Sequence, residues 1–212
     1  MLSKIKEMTP EEFVSFVGEI FPDLKRIVVG YDFAFGKNRA GSLNDLKRLF
    51  DGEVFVVPEV KMGGISIHSR VIDRLLRDGN LIMANKMLGR NYQIDGFQIK
   101  GQGLGSREFV PTINLKIKNY TLPRDGVYAT FTRVGEERFK SITFLGHRST
   151  TDGSFAVETH ILDRAIKSED NQRLFVEFVS DIRTNRKFES FGELKAQIDL
   201  DIKRAKEIMG EK

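Results

Sequence analysis

The sequence predicts two structures in series: an α/β segment built on a parallel sheet, then a six-stranded antiparallel β-barrel with a C-terminal helix. Three observations predict this. Up to about Leu88, apolar residues recur at helical spacing around two short apolar runs, whereas beyond Arg90 they alternate, two residues apart, in short segments. Turn signals separate those segments: Lys100-Gly101, Pro123-Arg124-Asp125-Gly126, Val134-Gly135 and Thr151-Asp152-Gly153. The chain then returns to a helical stripe. The change of period sets a boundary near Leu88-Gly89-Arg90, dividing the chain into 1–88 and 89–212.

In the first part, Thr9-Pro10-Glu11-Glu12 starts a helix, with Thr9 as cap, Pro10 in the first turn and Glu12 in the capping-box position. Phe13, Val17 and Ile20 supply its apolar stripe. Arg26-Ile27-Val28-Val29-Gly30 reads as a short strand, Ser42 to about Phe50 as a second helix, and Val54-Phe55-Val56-Val57 as a second strand stopped by Pro58. Two helices follow, near Ile67–Arg77 and Asn80–Leu88. A parallel sheet needs both faces covered and usually several strands. With two strands and a helix first, the chain reads as if it begins partway through a domain.

In the second part the strands are Tyr92–Ile99, Thr112–Ile117, Val127–Val134, Phe139–Leu145, Ala156–Leu162 and Leu174–Val179. Regular short strands argue for a small barrel. Ser190-x-x-Glu193 reads as a capping box, and Leu194, Ile198, Ile202, Ala205 and Ile208 form a stripe suited to packing on the barrel.

Composition bounds the function. A length of 212 residues suits one large domain or two small ones, and 40% hydrophobic with 30% charged residues suits a globular chain. With no cysteine there is no disulfide, thiolate metal site or cysteine nucleophile, which fits a cytoplasmic protein. No apolar run reaches the ~18 residues of a membrane helix, so no membrane partner is expected. The net charge of +4 is spread through mixed charges without a basic block, which argues against nucleic acid.

Pro111-Thr112-Ile113-Asn114 carries the most chemistry. It follows the glycine run Lys100-Gly101-Gln102-Gly103-Leu104-Gly105-Ser106. Ile113, Leu115 and Ile117 share one strand face, and Thr112 and Asn114 share the other. A hydroxyl and an amide oxygen beside a glycine loop can hold a hard cation and a phosphate together. On spacing alone the plainer reading leads: a strand start with ordinary hydrogen-bonding residues facing solvent. The glycine run lacks the Lys-Ser/Thr of a P-loop and precedes a strand where a dinucleotide fingerprint would precede a helix.

Several motifs in order resemble one family. Gly101-Gln102-Gly103 with Pro111-Thr112-Ile113-Asn114-Leu115 resembles the glycine loop and Pro-Thr-x-Asn signature of riboflavin kinases. Asp125-Gly126-Val127-Tyr128-Ala129 looks like that family's next strand. Gly146-His147-Arg148-Ser149-Thr150 with Val157-Glu158-Thr159-His160-Ile161-Leu162-Asp163 resembles the segment carrying its catalytic glutamate. Phe188 to Ile198, with Asp201, is similar to its closing helix. Where the family has a basic residue and Leu-Gly-Phe before the Pro-Thr, this chain has Ser106-Arg107-Glu108-Phe109-Val110.

Upstream, Val29 to Gly41 resembles the Gly-x-Asp-Phe-x-Phe-Gly motif of the adenylyltransferase module in bacterial bifunctional riboflavin kinase/FAD synthetases. That implies a partial Rossmann-like nucleotidyltransferase sheet over 1–88 and a riboflavin kinase domain over 89–212. The module's His-x-Gly-His site has no counterpart, since the only histidines are His68, His147 and His160.

The resemblance implies transfer of the ATP γ-phosphate to the riboflavin 5′-hydroxyl, giving FMN and ADP with Mg²⁺. It makes Glu158 the general base. Gly101, Gly103 and Gly105 approach the phosphates, Thr112 and Asn114 hold Mg²⁺ and phosphate oxygens, and Arg186 and Phe188 lie beside the flavin. Rival readings are a fragment of a bifunctional riboflavin kinase/FMN adenylyltransferase and a non-catalytic flavin-binding module. His160 reads as structural or pocket-lining, and His147-Arg148 as phosphate-lining or merely surface.

Overall fold

The computed structural model describes residues 5–100, 110–148, 150, 152–164, 166 and 169–210. Backbone packing divides the chain into two compact units, Met1–Ile67 and His68–Lys212.

The first unit holds α1 (Pro10–Ile20), β1 (Arg26–Gly30), α2 (Leu43–Leu49), β2 (Glu53–Val57) and a short hairpin, β3 (Lys61–Met62) with β4 (Ile65–Ser66). Thr9 caps α1 in a reciprocal box with Glu12. Ser42 and Asp45 form the same device on α2. The Ser42 hydroxyl, the Ser42 N–H and then Arg48 hold the Asp45 carboxyl down at about 2. Strands β1 and β2 run parallel, with Arg26 opposite Glu53 and Gly30 opposite Val57. Phe35 is buried against Phe13 and Phe33. Among the described residues the sheet has these two strands, and Val28, Phe55 and Val57 are exposed on one face.

The second unit begins with α3 (Ser69–Arg77) and α4 (Leu81–Leu88) and continues through β5 (Tyr92–Ile99), β6 (Ile113–Ile117), β7 (Gly126–Val134), β8 (Glu137–His147), β9 (Phe155–Ile161), β10 (Arg173–Thr184) and α5 (Phe191–Ile208). The six strands close into a barrel in the order β10-β5-β6-β9-β8-β7, and every pair is antiparallel. Helices α3 and α4 belong to this unit, because Leu76, Leu81 and Ala84 join Ile94, Leu115, Tyr128, Leu145 and Phe178 in one core. Each fully buried Leu or Phe there contributes about 1.5–3 kcal/mol of transfer free energy. Asn85 fixes α4 to the barrel, donating to the Phe178 carbonyl at 2.8 Å and accepting from the Tyr92 N–H at 2.7 Å.

The barrel interior is not wholly apolar. Thr130, Thr132, Ser141, Thr143 and Thr159 are fully buried. Their hydroxyls form a closed ring, Thr130–Ser141–Thr132–Thr159–Thr143 and back, with O···O distances of 2.8–3.0 Å. Thr143 is the donor to Thr159. Beside the ring, Tyr128 packs edge-on against Phe178 and donates its hydroxyl to the Arg124 carbonyl. Burial pushes the Tyr128 phenol up to about 12.

Helix α5 covers the outside of β7 and β8, where Ala205, Ile202 and Ile208 meet Val127, Ala129 and Ile142. Asp201, buried on α5, accepts two bonds from Arg183 Nε at 2.8 and 3.0 Å. The expected capping box on this helix is half formed. Ser190 Oγ accepts the Glu193 N–H at 3.2 Å, but the Glu193 carboxylate takes the N–H of Glu189 instead of that of Ser190.

Candidate active site

The β6–β9 ladder sets the site. Ile113 pairs with Thr159 and Asn114 with Glu158. Residues facing each other in a ladder put their side chains on the same side of the sheet. With Thr159 and Ile113 turned to the core, Asn114 and Glu158 emerge together on the outer face. Thr112, two residues before Asn114, brings its hydroxyl 3.5 Å from Glu158 Oε2, a long contact.

Arg148 joins these groups. Its Nε donates to Glu158 Oε1 at 2.6 Å, its Nη2 to Asn114 Oδ1 at 2.8 Å and its Nη1 to Ser154 Oγ at 2.7 Å. All three guanidinium nitrogens are therefore engaged. The Arg148 and Glu158 side chains are only 18% and 22% exposed, so the pair is partly desolvated. The loop carrying Arg148 is folded back on itself: the Arg148 N–H donates to the Ser154 carbonyl and the Gly153 N–H to the Arg148 carbonyl. Sequence reasoning left Arg148 between a phosphate-facing and a surface role. Its place at the centre of the cluster depends on pairings between strands distant in sequence.

The same loop reaches a second group. Thr150 Oγ1 accepts the N–H of Phe188 at 3.2 Å. Phe188 is 4% exposed, with the Arg186 guanidinium 4.7 Å and that of Arg183 5.4 Å from its ring centre. Arg186 also donates to Gln197 Oε1 at 2.8 Å, and Gln197 donates to Asp201 Oδ1 at 2.8 Å. The Asp125 carboxylate accepts the backbone N–H of His147 and lies 3.1 Å from its Nδ1. Gly146, at φ 138°, allows this: a Cβ there would meet Asp125 Cγ at 2.7 Å. His160 Nδ1 bonds the Pro111 carbonyl at 2.7 Å, tying the start of β6 to β9. Gly101, Gly103 and Gly105 lie outside the described residues.

Thr112 and Asn114 supply hard oxygen atoms, the donor type magnesium takes, and magnesium needs only one or two from protein when phosphates supply others. Asn114 Oδ1 already accepts a charge-assisted bond from Arg148, so a metal at this oxygen would have to displace that guanidinium. The described residues contain no cluster of three or more His, Cys, Asp or Glu able to hold a metal by themselves. The donor set fits a cation shared with a phosphate-bearing ligand.

Comparison with known proteins gives consistent matches. A family model described as riboflavin kinase matches residues 88–209, and one described as FAD synthetase matches residues 2–71. Among curated proteins, a bifunctional riboflavin kinase/FMN adenylyltransferase from Listeria monocytogenes is 30% identical over 206 residues, covering 94% of this chain and 64% of that protein. One of the same description from Escherichia coli K12 is 31% identical over 208 residues, covering 96% and 66%. The chain thus spans about two thirds of the length of these relatives. A crystal structure described as a macrolide-efflux protein from Streptococcus pneumoniae superposes with a TM-score of 0.80 at 29% identity, covering 96% of this chain and 67% of that one. Among the described residues, no helix is long and apolar enough to cross a membrane.

Proposed function

The chain belongs to the riboflavin kinase family, and from that premise we propose that it transfers the γ-phosphate of ATP to the 5′-hydroxyl of riboflavin, giving FMN and ADP. The observation that carries this reading is the convergence of Thr112, Asn114 and Glu158 on one outer face of the β6–β9 ladder.

A primary alcohol is a weak nucleophile, and a carboxylate within hydrogen-bond reach can accept its proton as phosphoryl transfer proceeds. Glu158 Oε1 is held by Arg148, while Oε2 has, among the described residues, the long contact with Thr112. In the proposal Oε2 takes the proton of the riboflavin hydroxyl. The new O–P bond forms as the bond between the γ-phosphorus and the bridging oxygen breaks, and ADP leaves. Mg²⁺, when bound with the nucleotide, neutralises charge on the phosphate oxygens. Thr112 and Asn114 orient that complex through their side-chain oxygens. Gly101, Gly103 and Gly105 are proposed to lie along the phosphates, their lack of a Cβ allowing backbone N–H groups to approach. Arg186 and Phe188 are proposed to border the flavin. The buried Phe188 ring would then act as the floor under Arg186, not as an exposed stacking platform. Placement in the cytoplasm, where ATP and riboflavin meet, completes the reading.

The test is direct. Folded protein incubated with riboflavin, ATP and Mg²⁺ should yield FMN on chromatography, and no FMN under varied metal and reductant would overturn the proposal. The match of residues 2–71 to FAD synthetase favours a second reading, a fragment of a bifunctional riboflavin kinase/FMN adenylyltransferase. In-frame coding sequence upstream of Met1 carrying a His-x-Gly-His motif would support it, and an in-frame stop there would count against it.

A further inference from the structure

Arg148 occupies the oxygen that the proposed reaction needs for its cation. Its Nη2 lies 2.8 Å from Asn114 Oδ1, and its Nε lies 2.6 Å from the carboxylate of Glu158. A guanidinium is charged at every relevant pH. A divalent cation arriving alone at Asn114 therefore meets a fixed positive charge a few ångströms away, in a partly desolvated place where such repulsion is poorly screened. It also meets a carboxylate already neutralised. A nucleotide changes the balance, because its phosphate oxygens offer the guanidinium a new, charged acceptor.

We infer that Arg148 is a positioning residue that stands in for the cation: it keeps a bare divalent metal out of the Thr112–Asn114–Glu158 cluster and gives up Asn114 when the metal comes as its nucleotide complex. The inference rests on the phosphoryl-transfer reading only in supplying a phosphate-bearing ligand. Binding of the metal alone can be measured without that reading.

Three features make Arg148 suited to this task. It reaches Asn114 and Glu158 with different nitrogens, so it can release one and keep the other. It is held by a third bond to Ser154, within its own loop, which fixes its resting position without involving substrate. Once it leaves, Glu158, Asn114 and Thr112 present a carboxylate, a carboxamide and a hydroxyl on one face, a set of hard oxygen donors.

The experiment measures binding of Mn²⁺ alone, by its free-ion resonance signal, and of metal-free ADP, by calorimetry, for wild type and Arg148→Gln. Removing the guanidinium should tighten Mn²⁺ binding about tenfold or more and weaken ADP binding by a similar factor, since one charge repels the metal and attracts the phosphates. A residue with a merely structural role would weaken both. Adding Asn114→Ala to Arg148→Gln should abolish the gain in Mn²⁺ affinity. Ser154→Ala, which removes the bond to Arg148 together with that to Asp152 and leaves the guanidinium in place, should tighten Mn²⁺ binding by a smaller factor without weakening ADP binding, and serves if Arg148→Gln fails to fold. Unchanged Mn²⁺ binding in folded Arg148→Gln, or weakening of both ligands, would overturn the inference. FMN formation by wild type with no such change would sink this role of Arg148 alone. Opposite-signed changes without FMN formation would support it while removing the riboflavin reading.

Discussion

Asn114 and Glu158 face each other across the β6–β9 ladder and are bridged by one guanidinium, that of Arg148. The pairing brings an amide oxygen and a carboxylate from positions 44 residues apart (158 − 114) to a single point on the outer face of the barrel.

Glu158→Gln keeps the shape of the side chain and removes the proton acceptor. Its kcat for FMN formation is expected to fall by roughly 10²–10⁴ with little change in riboflavin binding. Steady-state rates together with flavin fluorescence titration check this, and near-normal turnover would remove Glu158 from the role of base.

Asn114→Ala and Thr112→Ala are expected to act mainly on productive use of the metal–nucleotide complex. Raising Mg²⁺ and ATP should restore part of the rate. If the rate stays low at saturating MgATP and flavin binding is what fails, the two side chains serve the flavin side of the site.

Thr132→Val opens the buried hydroxyl ring. Ser141 and Thr159 each lose a partner in a place water does not reach. The expected loss of stability is about 1–3 kcal/mol, read as a lower urea midpoint at unchanged slope. A midpoint equal to wild type would mean that the interior rearranges to satisfy both groups.

Alkaline stability should report Tyr128. Its phenol is pushed up to about 12 in the fold by burial, from an ordinary value of 10.0. The folded state therefore keeps the proton when the unfolded chain has begun to lose it. The stabilisation is complete below the unfolded value and is lost as pH rises from 10.0 towards about 12. Tyr128→Phe should flatten the dependence of melting temperature on pH across that interval, and an unchanged slope would place the alkaline transition elsewhere.

The 212-residue chain is expected to make no appreciable FAD from FMN and ATP, because none of its histidines stands in the His-x-Gly-His spacing of the adenylyltransferase family it resembles. Steady FAD production by a homogeneous preparation would show an adenylyl-transfer site elsewhere in the chain.

Most of the architecture was legible from local signals. Thr9 with Glu12, and Ser42 with Asp45, announce helices because each pair satisfies two backbone donors that the first turn leaves open. Alternation in Val157–Ile161 and Ile113–Ile117 told which side chains face the core, because a strand offers only two directions. The contacts among Arg148, Glu158 and Asn114 were not legible, since register between strands depends on the whole barrel closing. The hydroxyl ring was hidden for a related reason. Nothing local marks Thr130, Thr132 and Thr143 as partners, and only the inward pleat of the closed barrel brings their hydroxyls together. The half-formed cap at Ser190 shows the limit of motif spacing: Glu193 stands at the right distance, yet its carboxylate finds the N–H of Glu189 first.

The ring has a further consequence. Thr143 donates to Thr159, and each hydroxyl has a single proton to give; when Thr159 gives its proton to Thr132, at 2.9 Å a nearer acceptor than the Ile142 carbonyl at 3.5 Å, the bonds run head to tail in one sense: Thr143, Thr159, Thr132, Ser141, Thr130 and back to Thr143. Dipoles arranged in a circle largely cancel, so five polar groups present almost no net field to the leucines and valines beside them. The same closure makes the five positions one unit of sequence change. The first hydroxyl removed leaves both of its neighbours incomplete, whereas removing an adjacent one next takes away a group already missing a partner and costs less. Substitutions here should therefore be epistatic, each one tolerated better after its neighbour in the ring has gone.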